Sequence, residues 1–253
     1  MKKRVALLAN HLPGEEVCRI LAEDSLADLI AVFVTGDNPK YKEEISIILT
    51  QKNVPIYSGK EIWNSGEVNS IFEELNIDFL VSVYWPWLLK PKTIGLIKDS
   101  LNFHPALLPK NRGWYPHVYN LKDGTDAGVA LHRIDLEADT GAVWASRKVP
   151  SMATDTASDL YRRLQSEILG LFIEVWPQII SGEVKPLEQN HAIATYNSKN
   201  DISKFDQIDL DKETTPRDFI NLLRARTFDG KSFAFYFQDD KKISISIVLK
   251  EED

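Results

Sequence analysis

Three short, almost wholly apolar stretches constrain this chain most: Val5–Ala9, Leu29–Val34 and Phe79–Val83, the last broken only by Ser82. Each has strand length, and a strand apolar at every position must be covered on both faces. Between them the spacing turns helical. Val17, Ile20 and Leu21 recur at i, i+3, i+4, and Glu43–Gln51 and Val68–Leu75 read as further helices, with a brief strand at Val54–Tyr57. Buried strands alternating with helices define an α/β fold around a mainly parallel sheet. The opening is a Rossmann-like strand–turn–helix: Asn10–Gly14 reads as the first turn cluster, and Gly36-Asp37 follows the second strand. No Gly-x-Gly-x-x-Gly follows the first strand, so a dinucleotide is not expected.

Three more strands are predicted at Ser100–Phe103, Gly128–Ile134 and Val143–Val149. A long helix follows over Asp155–Trp176, capped by Thr154 or Asp155, with Leu160, Leu164, Ile168 and Val175 as its buried stripe. Pro177 should disturb its end and Gly182 close it. From His191 the pattern changes. Tyr196–Glu213 is polar and reads as an arm. Thr215–Ala225 is a helix with Pro216 in its first turn, and Phe233–Phe237 with Ile243–Leu249 read as a hairpin around Asp239-Asp240. The expected division is a core domain over residues 1–190 and a small C-terminal α+β appendix over 191–253.

A length of 253 residues supports a sizeable core. The formal net charge of −7 argues against nucleic acid, whose phosphates call for a basic face. The single cysteine, Cys18, excludes an intrachain disulfide and fits a reducing compartment. The first apolar run is too short for a secretory signal, and no run reaches membrane-spanning length. The expected setting is the cytoplasm, with no metal site.

The central stretch carries the chemistry. In Leu101-Asn-Phe-His-Pro-Ala-Leu-Leu-Pro109, Asn102 and His104 stand two apart and leave one face of a strand. They sit where an open sheet gathers ligands, and Pro105 and Pro109 stiffen the exit. A second polar turn, Asp135-Leu-Glu-Ala-Asp-Thr-Gly141, follows the next strand. Asn, His and Asp together suit acyl transfer to an amine. Asn102 and His104 can donate to the developing oxyanion. Asp139, or His104 oriented by Asp139, can take the proton from the cationic nitrogen. The residues leave open which of the two is the final base.

Asn102-x-His104-Pro-Ala-Leu-Leu-Pro109, Arg112-Gly113 and Asp135–Gly141 together resemble the 10-formyltetrahydrofolate-dependent formyltransferases over about residues 1–190. The family's catalytic Asn, His and Asp match Asn102, His104 and Asp139. The family's usual Ser after His-Pro is Ala106 here, which alters loop detail. The resemblance implies N10-formyltetrahydrofolate as co-substrate. Its pterin would lie beside Trp85, Trp87 and Leu88, which follow the Phe79–Val83 strand, with Asp135 grouped among the folate-binding residues.

The tail and the segment Arg112-Gly-Trp-Tyr-Pro-His117 resemble the sugar-nucleotide N-formyltransferases, which implies a nucleotide-linked amino-dideoxysugar as acceptor. The first expectation is dTDP-4-amino-4,6-dideoxyglucose, then GDP-perosamine, in surface polysaccharide (O-antigen) synthesis. A diphosphate would be held by Arg112, Arg224 and Lys231, and a base would stack on Tyr115, Tyr196 or Phe228. His117 belongs to the same segment. Loop packing is the competing reading for Tyr115 and His117, and a helix-end charge for Arg224. His132 reads as a residue of the core or just behind the reacting groups, and His11 is left unassigned. A homodimer is expected. The alternatives are glycinamide ribonucleotide or methionyl-tRNA as acceptor, an inactive binding module, and a hydrolase of the same folate.

Overall fold

The computed structural model describes residues 1–36 and 39–252. In chain order its elements are β1 (Lys3–Ala9), α1 (His11–Glu23), β2 (Ala27–Val34), α2 (Pro39–Leu49), β3 (Ile56–Ser58), α3 (Lys60–Ser65), α4 (Glu67–Leu75), β4 (Phe79–Val83), α5 (Pro91–Ile94) and β5 (Asp99–His104). There follow β6 (Arg112–Gly113), α6 (Pro116–Asp123), β7 (Ala127–His132), β8 (Val143–Val149), α7 (Ala157–Ser181) and β9 (Tyr196–Asn197). The chain ends with α8 (Pro216–Ala225), β10 (Thr227–Phe228), β11 (Lys231–Ser232), β12 (Ala234–Gln238) and β13 (Lys241–Ile245).

Seven strands form one sheet in the order β3-β2-β1-β4-β5-β7-β8. The pairs β2–β3, β1–β2, β1–β4 and β4–β5 are parallel. Strand order reverses between β1 and β4. Ligands of open α/β sheets bind at such a switch point, beyond the carboxyl ends of the strands. The expected α/β fold with a Rossmann-like parallel sheet and small C-terminal antiparallel strands is the fold observed.

Two compact units emerge from the contacts: residues 1–104, 131–145 and 169–189 in the first, and 105–130, 146–168 and 190 onward in the second. In the first, alternate residues of the strands feed opposite faces. Ala6, Leu8, Ala31, Phe33 and Leu80 join Trp63, Val68 and Phe72 in one buried cluster. Phe79, one residue from Leu80, instead meets Trp176 at 5.2 Å and Trp144 at 6.1 Å. The two indole N–H groups of that layer are satisfied, Trp144 Nε1 donating to Ser100 O and Trp176 Nε1 to Asp24 Oδ2. Cys18 is buried, which pushes its thiol up to about 12 and leaves it unreactive.

Several boundaries differ from expectation. Asn10–Gly14 is the N-cap and first turn of α1, because Asn10 accepts from the His11 N–H and Pro13 falls where no backbone donor is required. Helix α3 was not expected; it is bracketed by Gly59 and Gly66, both at positive φ. Helix α7 is preceded by Thr156, not Thr154 or Asp155. Asp159 Oδ2 accepts from Thr156 N and Oγ1, and Asp155 is occupied by Arg163. The helix runs through Pro177 to Ser181, and Gly182 at φ 83 closes it. Trp176, not Val175, fills the buried seam. The polar arm contains β9 and a 3-10 turn over Asp201–Phe205. The hairpin is β12–β13, turned by Asp239 (φ 48) and Asp240 (φ 60), and its second strand begins at Lys241 rather than Ile243. Asp37, read as following the second strand, lies outside the described residues.

Candidate active site

Strand β5 delivers Asn102 and His104 to one face, at the carboxyl end of the strand beside the switch point. Several bonds fix that end. Arg133 grips Asp99 through Nε at 2.8 Å and Nη2 at 2.7 Å, and its guanidinium lies over the Trp144 ring. Ile134 N donates to Ser100 Oγ. These contacts bring His132 and the following loop alongside β5.

Asn102, His104, His132 and Asp139 converge. His104 Nδ1 lies 3.4 Å from Asp139 Oδ2, and His132 Nε2 lies 3.3 Å from Asp139 Oδ1. Asn102 Nδ2 is 3.1 Å from His132 Nε2 and 3.5 Å from Asp139 Oδ1. The His104, His132 and Asp139 side chains expose 5%, 2% and 13% of their surface, so this carboxylate works largely outside bulk water. A low local dielectric strengthens its pull on both imidazoles. Asp139 sits at φ 57, a left-handed conformation that a non-glycine residue adopts at a cost.

The tautomer of His132 follows from its partners. Its Nδ1 is 2.7 Å from the Arg133 carbonyl, which can only accept, so Nδ1 carries the proton. As an acceptor, Nε2 takes one N–H of Asn102 at 3.1 Å, and its other neighbour is Asp139 Oδ1 at 3.3 Å. The second N–H of that amide is aimed at Asp139 over the longer distance. Donation from Asn102 to an oxyanion therefore requires the Asp139 contact to yield, a detail the strand spacing did not contain. His132, read from sequence as a residue of the core or just behind the reacting groups, is the orienter of the Asn102 amide.

The proposed folate-facing residues lie in the same unit. Trp85 and Trp87 pack edge-to-face, 4.9 Å apart, and meet Trp63 at 5.1 and 6.4 Å. They border the buried cluster, whereas Leu88 is 68% exposed and Asp135 is also exposed, its carboxylate accepting from Leu136 N. Trp85 Nε1 is buried and has no protein acceptor among the described residues.

In the second unit, Arg112 and Tyr196 are paired across β6–β9. Arg112 is buried with Nη2 3.2 Å from His191 Nδ1, while Tyr196 is exposed. Gly113, at φ 86, is required there: a Cβ would collide with the Asn197 carbonyl oxygen. His117 is enclosed by Tyr161 at 4.9 Å, Phe228 at 6.4 Å and Tyr115 at 6.5 Å. Burial, with a smaller contribution from Arg226, pushes His117 down to about 3, so the ring is neutral. Phe228 pairs with Lys231 across β10–β11. Arg224 has its nitrogens taken up by Met152 O, Asp155 O and Asn221 Oδ1. Sequence reasoning missed Tyr161, which no motif marks, and Gln189, whose amide reaches the Asp139 loop.

The fold is that of an α/β protein whose polar cluster lies at the carboxyl end of a parallel sheet, beside its switch point. The formyl transferase family matches residues 8–175, and the N-formyltransferase dimerization C-terminal domain matches residues 201–251. The chain belongs to the formyl transferase family. It is 30% identical over 237 residues to a methionyl-tRNA formyltransferase of Streptococcus uberis, spanning 87% of this chain and 74% of that protein. It is 31% identical over 153 residues to a dTDP-4-amino-4,6-dideoxyglucose formyltransferase of Mycobacterium bovis, spanning 60% of this chain and 65% of that protein. Its fold matches that of a 4-N formyltransferase from Francisella tularensis with a TM-score of 0.82 at 22% identity, over 99% of both chains. No helix among the described residues is long and apolar enough to cross a membrane.

Proposed function

We propose that this chain moves the formyl group of N10-formyltetrahydrofolate onto the amino group of a nucleotide-linked amino-dideoxysugar, with dTDP-4-amino-4,6-dideoxyglucose the first acceptor and GDP-perosamine the second. The convergence of Asn102, His104 and Asp139 within 3.5 Å contacts carries the reading. The sugar amine attacks the formyl carbon, forming a C–N bond and an oxyanion that Asn102 and His104 receive by hydrogen bonding. The attacking nitrogen gives its proton to the His104–Asp139 pair. Collapse breaks the bond to N10, which takes a proton, leaving tetrahydrofolate and the formamido sugar. Trp85, Trp87, Leu88 and Asp135 are assigned to the folate. The unpartnered Trp85 N–H supports this as a donor available to a ligand. Arg112, Tyr115, His117, Tyr196, Arg224, Phe228 and Lys231 are assigned to the sugar nucleotide, with Arg224 the weakest member because its nitrogens have protein partners.

Residues 1–190 would act as the catalytic domain and 191–253 as the appendix. The reading includes a cytoplasmic homodimer; the match of residues 201–251 to a dimerization domain supports the dimer, and exposed Phe237 and Ile243 of the terminal hairpin suit a second copy. The likeness to a methionyl-tRNA formyltransferase over 237 residues favours tRNA as the second reading. The net charge of −7 counts against it. Purified protein, N10-formyltetrahydrofolate and each acceptor would be incubated and the products weighed by mass spectrometry. A single added formyl group on an amino-sugar nucleotide is expected. Formylation of methionyl-tRNA or glycinamide ribonucleotide alone would move the protein to that acceptor.

A further inference from the structure

Gln189 has no part in the resemblance, yet its side chain is buried against the loop that carries Asp139. Its Nε2 donates to two backbone carbonyls, Asp139 O at 2.9 Å and Gly141 O at 2.7 Å. The register that places it there is explicit. Val143 and Leu187 exchange both backbone hydrogen bonds at 2.8 Å as an isolated antiparallel bridge. Two residues further along each strand of that ladder, Gln189 stands opposite Gly141. From the other side, Arg133 N donates to Ala142 O at 2.8 Å, and a Cβ on Gly141 would collide with the Arg133 carbonyl oxygen. Thr140 Oγ1 closes the loop onto Glu137 O at 2.9 Å. The loop is thus held between Arg133 and Gln189, with Asp139 at φ 57 between the two grips.

We propose that Gln189 is a positioning residue for the reaction: its amide holds Asp139 in a left-handed conformation so that the carboxylate faces His104 and His132. A left-handed non-glycine residue persists only where its surroundings over-determine it. Two hydrogen bonds from one buried amide, one to Asp139 itself, supply that constraint. Gln189 lies 50 residues downstream and reaches the loop through the Leu187 bridge.

The inference rests on the formyl-transfer reading, and two measurements separate them. In Gln189→Met the side chain keeps its length and loses both donors. With turnover normalised to folded protein, kcat is expected to fall roughly tenfold to a hundredfold while KM for each substrate stays within about threefold, since no substrate contact is removed. The second measurement needs no turnover. The His104 ring resonances, which sense the carboxylate at 3.4 Å, are expected to shift in Gln189→Met while those of His117, in the other unit, stay in place. Gln189→Glu, which keeps the volume and offers two carbonyls an acceptor instead of a donor, is expected to lose at least as much. Unchanged kcat and unchanged His104 resonances in folded Gln189→Met would overturn the role. So would a loss that merely tracks the unfolded fraction. A wild-type chain that formylates nothing, with the His104 shift still present in the variant, would sink the reading of the function and leave the positioning role standing.

Discussion

His104 and His117 are both nearly inaccessible to solvent, and their surroundings have opposite consequences. His104 stands against a carboxylate at 3.4 Å, and that carboxylate also faces a second imidazole and an amide. His117 is surrounded by three aromatic rings, with the guanidinium of Arg226 as its charged neighbour, and it stays neutral down to about pH 3. Burial alone therefore does not create a proton-handling group. A buried imidazole becomes useful when a buried anion accompanies it, because the pair can hold or release a proton where either alone is forced neutral. The first unit's cluster has the groups that proton transfer needs, and the second unit's aromatic enclosure holds a neutral ring.

The largest effect is expected from removing the anion. Asp139→Asn keeps the shape and the Asn102 contact but cannot take a proton, and kcat should fall roughly 10²- to 10⁴-fold with little change in thermal stability. His104→Ala should fall in the same range, and His117→Leu by far less. A His117 variant as slow as Asp139→Asn would erase the distinction between the two environments.

Next is the loop that presents Asp139. Gly141→Ala places a methyl group against the Arg133 carbonyl oxygen, and backbone cannot move aside as a side-chain tip can. A loss of about 3 kcal/mol in urea unfolding is expected, together with activity. Normal stability in this variant would mean that the loop accommodates the methyl, and that the fixed position of Asp139 is not what the site depends on.

The sheet, and the strand and turn that supply Asn102, His104 and Asp139, were legible in sequence because each has a local signature. Val5–Ala9 is apolar at every position, and Asn102 and His104 share a strand face by simple alternation. What was not legible depends on contacts distant in sequence. The amide orientation of Asn102 is set by His132, whose own tautomer is set by a backbone carbonyl. The Gln189 clamp depends on the register of an isolated bridge. Arg224, assigned to an anion from its charge, also donates to two carbonyls and an amide oxygen, which no composition rule reveals. The cap of α7 was missed because Thr154, Asp155 and Thr156 are all capping residues, and only the pairing of Asp155 with Arg163 chooses among them.

A pH titration sharpens the comparison with a smaller effect. His117 falls from an ordinary value of 6.5 to about 3 in the folded state. Between those values the unfolded chain binds a proton that the folded chain does not, so stability rises with pH across that window and is lost as pH drops through it. The melting temperature of the wild type should therefore decline from pH 6.5 toward 3. In His117→Leu the decline should be shallower by the share this one group contributes. Identical acid limbs in the two proteins would show that His117 is not held neutral.

The smallest effect tests whether the second unit's lone polar atoms matter at all. Tyr119 is buried, its hydroxyl has no hydrogen-bond partner among the described residues, and burial pushes it above its ordinary value. Its ring meets Phe205 edge-on at 5.8 Å, a contact that Tyr119→Phe preserves. A buried hydroxyl without a partner opposes folding, whereas one that is bonded favours it by about 1 kcal/mol. Removing this oxygen should therefore leave stability within about 0.5 kcal/mol or raise it slightly, with activity unchanged. In the first unit every comparable polar deletion is expected to slow the reaction. A clear loss of stability in Tyr119→Phe would mean that the hydroxyl is bonded through water. A loss of activity at full stability would make it a group that faces ligand, and the second unit would then share in the chemistry that the comparison assigns to the first.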